Sequence, residues 1–250
     1  MDLKDSSAIV TGGGSGMGRC FVEQLAKAGA RVFFCDVNPE ALAATCLDFG
    51  VQGTLADVSK EEDVARLFDE AEAAIGPINT LVNNAGILRD GLLVKKDRST
   101  GEVRGLSKAK WDAVLAVNLT GPFLCMREFA TRAVQTELRP AVAVNMSSIS
   151  RAGNYGQSNY AAAKAGLVAD TVLWAKELAR YGVRVGAIAP GFIATPMVAG
   201  MPAAALEQAI APVPLKRLGQ PEEIWQAIRF IVECEYFTGR VVEVDGGLRL

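Results

Sequence analysis

The 250-residue chain contains no histidine. That absence removes Ser-His-Asp hydrolysis, histidine-based metal sites and the commonest general base from consideration. Any chemistry must therefore run on hydroxyls, amines, amides or carboxylates, and no metal site is expected. The five cysteines (Cys20, Cys35, Cys46, Cys125, Cys234) show no C-x-x-C spacing, and their odd count argues against a disulfide framework. They read as small buried hydrophobes. No apolar run approaches the length of a membrane span. The net charge is only −2, so nothing overall points to nucleic acid or to a membrane surface. Linkers, internal repeats and low-complexity tracts are missing too. The polar start, Met1-Asp2-Leu3-Lys4-Asp5, leads straight into a strand pattern, which predicts a cytoplasmic protein without a signal peptide.

What is present is an alternation. Half of the residues are hydrophobic and 22% are charged, enough to bury a sizeable core. Short apolar runs (Ala8 to Val10, Arg31 to Cys35, Thr80 to Val82, Ala141 to Val144, Val183 to Ile188, Val241 to Val244) are separated by helix-like segments. Met17 to Ala28 is one such helix, Pro39 opens another, and Ala65, Leu67, Phe68, Ala71 and Ile75 line one face of a third. Continuous apolar strands, each followed by a helix, predict a doubly wound parallel sheet with helices on both faces, in one α/β domain spanning 1–250. Two stretches break the rhythm. Residues 95–110 are polar and basic, and residues 195–214 hold four prolines beside apolar residues, the pattern of a substrate lid.

The octet Thr11-Gly12-Gly13-Gly14-Ser15-Gly16-Met17-Gly18 lies between the first strand and the first helix. Glycines there permit a tight turn and let the backbone approach a pyrophosphate at the positive end of the helix. Asp36 ends the second strand, 18 residues after Gly18, where an acid can bind the adenine ribose hydroxyls. Its alternative role is to cap the helix that Pro39 opens. Gly13, Gly14 and Ser15 offer no cation, and Val37 and Asn38 follow the acid. A carboxylate ~5 Å from a 2′-phosphate costs about 3 kcal/mol per charge pair at an effective dielectric near 20. The expected cofactor is therefore NAD(H).

At this point the chain resembles the short-chain dehydrogenase/reductase family, from Ala8 to Asp245. TGGGSGMG at 11–18 matches the family's TGxxxGxG, Asn83-Asn84-Ala85-Gly86 its NNAG, and Tyr160-Ala161-Ala162-Ala163-Lys164 its YxxxK. Pro190-Gly191 with Thr195 matches the PG…T that holds the nicotinamide carboxamide, and Asp57 in Ala56-Asp57-Val58 matches the acid at the adenine. The resemblance implies a seven-stranded Rossmann sheet. It also implies a cofactor site of Gly12, Ser15, Gly16, Met17, Gly18, Asp36, Asp57, Val58, Asn84, Ala85, Gly86, Tyr160, Lys164, Pro190, Gly191 and Thr195. Asn118 matches the family asparagine that holds a water in a proton relay, and the helices of Asn118 and Tyr160 are those through which the family forms tetramers. The catalytic serine departs from pattern. Spacing to the tyrosine selects Ser147, whereas matching the strand motif selects Ser148. Ser148 is favoured, because loops lose residues more easily than a buried strand shifts register.

Tyr160 and Lys164 are four apart and share a helix face. Ketone reduction needs a proton delivered to the developing alkoxide. The reverse reaction needs a tyrosine brought from pKa ~10 toward 7, about 4 kcal/mol, about what one ammonium at ~4 Å supplies, so Lys164 aided by the positive nicotinamide is expected to suffice. Ser148 would steady the oxyanion. The competing class is a catalytically silent NAD-binding protein; such a protein has no need of Tyr160 and Lys164, and both are present.

The substrate is less legible. Residues 95–110 hold Lys95, Lys96, Arg98, Arg104, Lys108 and Lys110 against Asp97 and Glu102, net +4. An insertion here resembles that of the type II 3-hydroxyacyl-CoA dehydrogenases, and the endings Pro214 to Glu222 and Asp245 to Arg249 are similar to theirs and to those of 3-oxoacyl-ACP reductases. Coenzyme A is one expected partner of the basic segment; a solvated hairpin without ligand is the other reading. Met197, Val198, Met201, Leu206 and Ile210 make the lid apolar, which suits an acyl chain.

Overall fold

The computed structural model describes residues 1–199 and 203–249. Six of the seven sheet strands grow from the apolar runs: Ser7–Thr11 (β1), Arg31–Asp36 (β2), Thr80–Asn83 (β4), Ala141–Met146 (β7), Val183–Pro190 (β8) and Val241–Val244 (β9). The remaining one, Gln52–Leu55 (β3), has no apolar run to announce it. It lies at the edge of the order β3-β2-β1-β4-β7-β8-β9, where burial on both faces is not required. Every pairing in this sheet is parallel, with Ile9 between Phe33 and Leu81, and Val144 between Val82 and Gly186.

Successive residues of each strand point to opposite faces, so a continuous apolar run feeds two cores. Ala8 and Val10 pack with residues of Gly16–Lys27 (α1) and Pro221–Glu233 (α9), whereas Ile9 packs with Glu61–Ile75 (α3) and Gly121–Gln135 (α5). Pro39–Phe49 (α2) follows β2, Lys108–Leu115 (α4) precedes α5, and Ser158–Leu178 (α6) joins β7 to β8. Arg184 fastens the far end of the sheet. Its guanidinium donates to the carbonyls of Ile231 (2.7 Å), Val232 (2.8 Å), Phe237 (3.0 Å) and Cys234 (3.2 Å), thereby capping the C-terminus of α9 with positive charge.

Two irregular stretches take definite shape. The basic segment becomes an antiparallel hairpin, Val94–Lys96 (β5) with Val103–Gly105 (β6), exposed throughout. Within residues 195–214 lie two short helices, Pro196–Ala199 (α7) and Ala203–Ile210 (α8). Val198, Leu206 and Ile210 are half-buried, while Met201 and the side chain of Met197 lie outside the described residues. No helix among the described residues is long and apolar enough to cross a membrane.

Candidate active site

The strand order reverses between β1 and β4, and a crevice opens beyond the carboxyl ends of the strands at such a switch point. A groove of about 550 Å3 lies there, bordered by Gly12, Ser15, Gly16, Met17, Gly18, Asp36, Asp57, Val58, Asn84, Ala85, Gly86, Tyr160, Lys164 and Thr195. Its floor is held by reciprocal bonds across the switch point. Thr11 Oγ1 accepts from the amides of Asn84 and Ala85, both at 3.0 Å. The Asn84 side chain donates back to the carbonyls of Thr11 (3.0 Å) and Gly12 (3.1 Å).

The glycine turn fits a pyrophosphate. Gly12 has φ +65, and a Cβ on Gly18 would meet the Gly12 carbonyl at 2.0 Å, so neither position tolerates a side chain without moving the turn. Ser15 makes no side-chain capping bond, so the first-turn amides of α1 remain for an anion. Asp36 is not the cap of α2, because Asn38 accepts from the amides of Glu40 (2.9 Å) and Ala41 (3.0 Å). Asp36 Oδ2 instead accepts from Gly14 N at 2.9 Å, which binds the carboxylate to the glycine turn. Arg19, one turn into α1, is ion-paired with Asp48 at 2.5 Å and stacked on Phe49. These residues fit a dinucleotide.

At the other end of the groove, α6 presents Tyr160 and Lys164 from successive turns. Lys164 is buried, and its Nζ donates to the Met146 carbonyl at 2.7 Å, 5.6 Å from the centre of the Tyr160 ring. Burial lowers its ammonium to about 8. Burial also pushes the Tyr160 phenol above its ordinary value; the Ser148 hydroxyl beside it acts in the opposite direction, and the charge of Asp90 adds to the rise. The expectation of a phenol near 7 counts the positive nicotinamide together with Lys164; the chain's own groups on balance act the other way. The Lys164 ammonium is engaged by a carbonyl, and the phenol's own desolvation dominates.

The two serines differ in their partners, and Ser148 itself does not border the groove. Ser147 Oγ donates to the Lys164 carbonyl at 3.0 Å, although the residue borders the groove. Ser148 is the one whose hydroxyl lies by Tyr160, and it also accepts from Ser150 N at 3.1 Å. Asn118 sits behind them in a π-helical turn, Ala116–Thr120, where α4 meets α5. Its side chain is turned to Ile87, accepting from the amide (2.8 Å) and donating to the carbonyl (3.0 Å). Pro122, four residues on, has no N–H to offer the Asn118 carbonyl.

Two expected cofactor residues do not border the groove. Pro190 ends β8, and Gly191 borders a separate cavity of about 460 Å3 together with Phe192, Pro214 and Asp245. A Cβ on Gly191 would lie 2.8 Å from Asp245 Cα, so packing of the strand ends explains that glycine. Conversely, Ile87, Leu88, Val117 and Met146 line the groove without a motif to single them out. A buried relay behind the catalytic helix was also missed. Asn83 donates to Asn145 (2.9 Å), and Asn145 donates to Thr171 of α6 (2.9 Å). The available signal was an asparagine inside the apolar run Val142-Ala143-Val144-Asn145-Met146.

Comparison with known proteins agrees with this geometry. A family profile described as enoyl-(acyl carrier protein) reductase matches residues 12–249. The (3R)-3-hydroxyacyl-CoA dehydrogenase of Canis lupus familiaris is 38% identical over 98% of this chain and 97% of its own. The 3-oxoacyl-(acyl-carrier-protein) reductase FabG of Thermotoga maritima is 38% identical over 99% of each. The acetoacetyl-CoA reductase of Synechocystis sp. is 36% identical over 98% of this chain and 97% of its own. The chain belongs to the short-chain dehydrogenase/reductase family. As a member, it is an oxidoreductase of nicotinamide cofactors that acts on CH–OH groups of a small molecule, interconverting a secondary alcohol and a ketone.

The buried lysine of this dehydrogenase carries a measurable cost. Lys164 falls from 10.5 to about 8 on folding. Below 8 both folded and unfolded chains hold the proton, and the folded state bears the full penalty, on the order of 3 kcal/mol. Between 8 and 10.5 only the unfolded chain stays charged, so stability rises with pH. Lys164→Met should therefore be more stable than the parent at pH 7, by about 1–3 kcal/mol, with the gap closing toward pH 10.5. Thermal melts of both proteins at pH 7 and pH 10 read this directly; parallel pH dependence would refute it.

Proposed function

We propose that this dehydrogenase uses NAD(H) and interconverts 3-hydroxyacyl and 3-oxoacyl thioesters, with coenzyme A as the acyl carrier. Asp36, directed at the glycine turn with no free cation beside it, supports NAD(H) over NADP(H). The carrier reading rests on one observation. Of the six cations of residues 95–110, Arg104 is held by Glu102 at 2.6 Å, Lys108 by Asp112 at 2.7 Å and Lys110 by the Asp90 carbonyl at 2.9 Å. Lys95, Lys96 and Arg98 have no such partner among the described residues, and they follow one another from β5 into the hairpin turn. Asp97, an acid in their midst, is spent within the turn on Ser99 and Thr100.

In the chemical step, Tyr160 gives its proton to the carbonyl oxygen of the ketone, or takes it from the alcohol. Ser148 donates a hydrogen bond to the same oxygen and so offsets the charge that develops there. Lys164 restores the lost proton through its ammonium, and the backbone carbonyl of Asn118, to which Pro122 offers no N–H, holds the water that links this site to solvent. Bound nicotinamide carries the hydride.

Neutralising Lys95, Lys96 and Arg98 together to Gln should raise KM for acetoacetyl-CoA several-fold, since each exposed contact contributes ~0.2–1 kcal/mol. KM for a carrier-free ketone should stay unchanged, and the difference should shrink at high salt. If both substrates respond alike, or neither does, the carrier reading falls. An acyl carrier protein thioester in the same panel tests the role named for the Thermotoga relative.

The reading includes a cytoplasmic homotetramer. Supporting it, Phe123 on α5, 43% exposed, borders a cavity between α5 and α6 lined also by Met126, Trp174 and Tyr181, and Leu173 on α6 is 49% exposed. All five cysteines are free, in keeping with a reducing compartment. Light scattering should give four chains per particle; a monomer would remove this part of the reading.

A further inference from the structure

The hairpin leaves the sheet through two legs, and one side chain grips both. Asn159 is fully buried, and its Nδ2 donates to the carbonyl of Arg89 before the hairpin (3.2 Å) and to that of Lys110 after it (3.1 Å). Its Oδ1 accepts from the amide of Tyr160 at 2.8 Å. No polar atom of the side chain is left over.

The position is unusual for a capping group. The first turn of a helix leaves amides that the N-cap side chain ordinarily satisfies. Gln157, the N-cap of α6, makes no such bond. Its amide is drawn away to Asp90 Oδ2 (3.1 Å) and receives a bond from Asn154 (3.0 Å), while Gly91 N donates to Gly156 O at 2.8 Å. The task passes to Asn159, inside the helix. Its amide thus ties the Tyr160 backbone to the base of an otherwise exposed arm.

We infer that Asn159 is a positioning residue that couples the hairpin to the proton-transferring tyrosine, so that the set of the hairpin legs fixes where the Tyr160 hydroxyl stands. The inference rests on Tyr160 as the proton carrier. When a substrate engages the hairpin, any displacement of Arg89 or Lys110 reaches the first turn of α6 through this amide.

The test uses the full-length enzyme with a carrier-free ketone, so that the hairpin's cations do not enter. Asn159→Ala should lower kcat tenfold or more, raise the pH at which alcohol oxidation switches on, and leave the Kd for NADH within twofold, which also reports that the groove has folded. Asn159→Asp keeps the acceptor for Tyr160 N but loses both donors to the legs, so it should be as impaired as Asn159→Ala. A third variant replaces Val94–Gly105 by Gly-Gly; Leu106 N already donates to Leu93 O at 3.0 Å, so a two-residue turn can close the gap. This deletion should change kcat several-fold in the parent and less than twofold on top of Asn159→Ala. Rescue by Asn159→Asp, or a deletion effect that adds independently, overturns the coupling and leaves Asn159 as a plain helix cap. Tyr160→Phe is measured alongside. Normal turnover in that variant overturns the tyrosine reading and the coupling together, whereas loss there with none in Asn159→Ala overturns the coupling alone.

Discussion

Tyr160→Phe should bind NADH as the parent does and lose about a hundredfold to ten-thousandfold in kcat, the range that a positioned general acid or base contributes. The ring remains to fill its place beside Lys164, so the groove keeps its shape; only the proton donor goes. Its environment sets the direction of the pH dependence. Burial holds the phenol above its ordinary value, so ketone reduction finds the acid ready at neutral pH. Oxidation needs the phenolate. There the Ser148 hydroxyl already acts to lower the phenol. Ser148→Ala should therefore cut kcat and move the alkaline limb of oxidation upward. Ser147→Ala, which removes a bond to the Lys164 carbonyl, should cost less. Near-normal kcat in Tyr160→Phe would mean that another group carries the proton, and a larger loss at Ser147 would reverse the assignment of the two serines.

The contrast between those serines shows how far sequence reasoning reaches. Matching the strand motif selected Ser148 because a buried parallel strand cannot slip by one residue without turning its side chains over. Counting back from Tyr160 pointed to Ser147, because it assumed a loop of fixed length. Buried runs such as Val183 to Ile188 were legible for the same reason that the register is rigid: each residue feeds one of two cores. β3 was not, since Gln52-Gly53-Thr54-Leu55 is an edge strand whose pairing with β2 alone decides its conformation. The glycine octet and Asp36 were legible as chemistry, but the bond from Gly14 to Asp36 was not, nor the lacing of Thr11 to Asn84. Such bonds join residues over 20 or 70 positions apart, and no periodicity records them. Asn159 is the extreme case. Beside a tyrosine in a YxxxK motif it reads as a helix residue, and only the approach of two distant carbonyls makes it more.

The acid at the end of β2 carries the second large expectation: kcat/KM with NADH should exceed that with NADPH by at least tenfold, or 1.4 kcal/mol. The repulsion available is larger, about 3 kcal/mol for each charge pair ~5 Å apart. Among the described residues beside it no cation relieves it, because Arg19 is committed to Asp48 and Val37, 69% exposed, offers no charge. Asp36→Arg should shrink or reverse the preference. Absolute rates will not read this cleanly, since Asp36 also accepts from Gly14 N, and any replacement loosens the glycine turn for both cofactors. The ratio of the two kcat/KM values is therefore the quantity to follow. Asp36→Asn separates the two roles of the carboxylate. It removes the charge and keeps one oxygen in place of the two that accept from Gly14 N and Asn38 N, so its ratio should fall between those of the parent and Asp36→Arg. Equal kcat/KM with NADPH in the unmutated enzyme would show that the carboxylate does not face the ribose, and the bonds it accepts from Gly14 N and Asn38 N would then be its purpose.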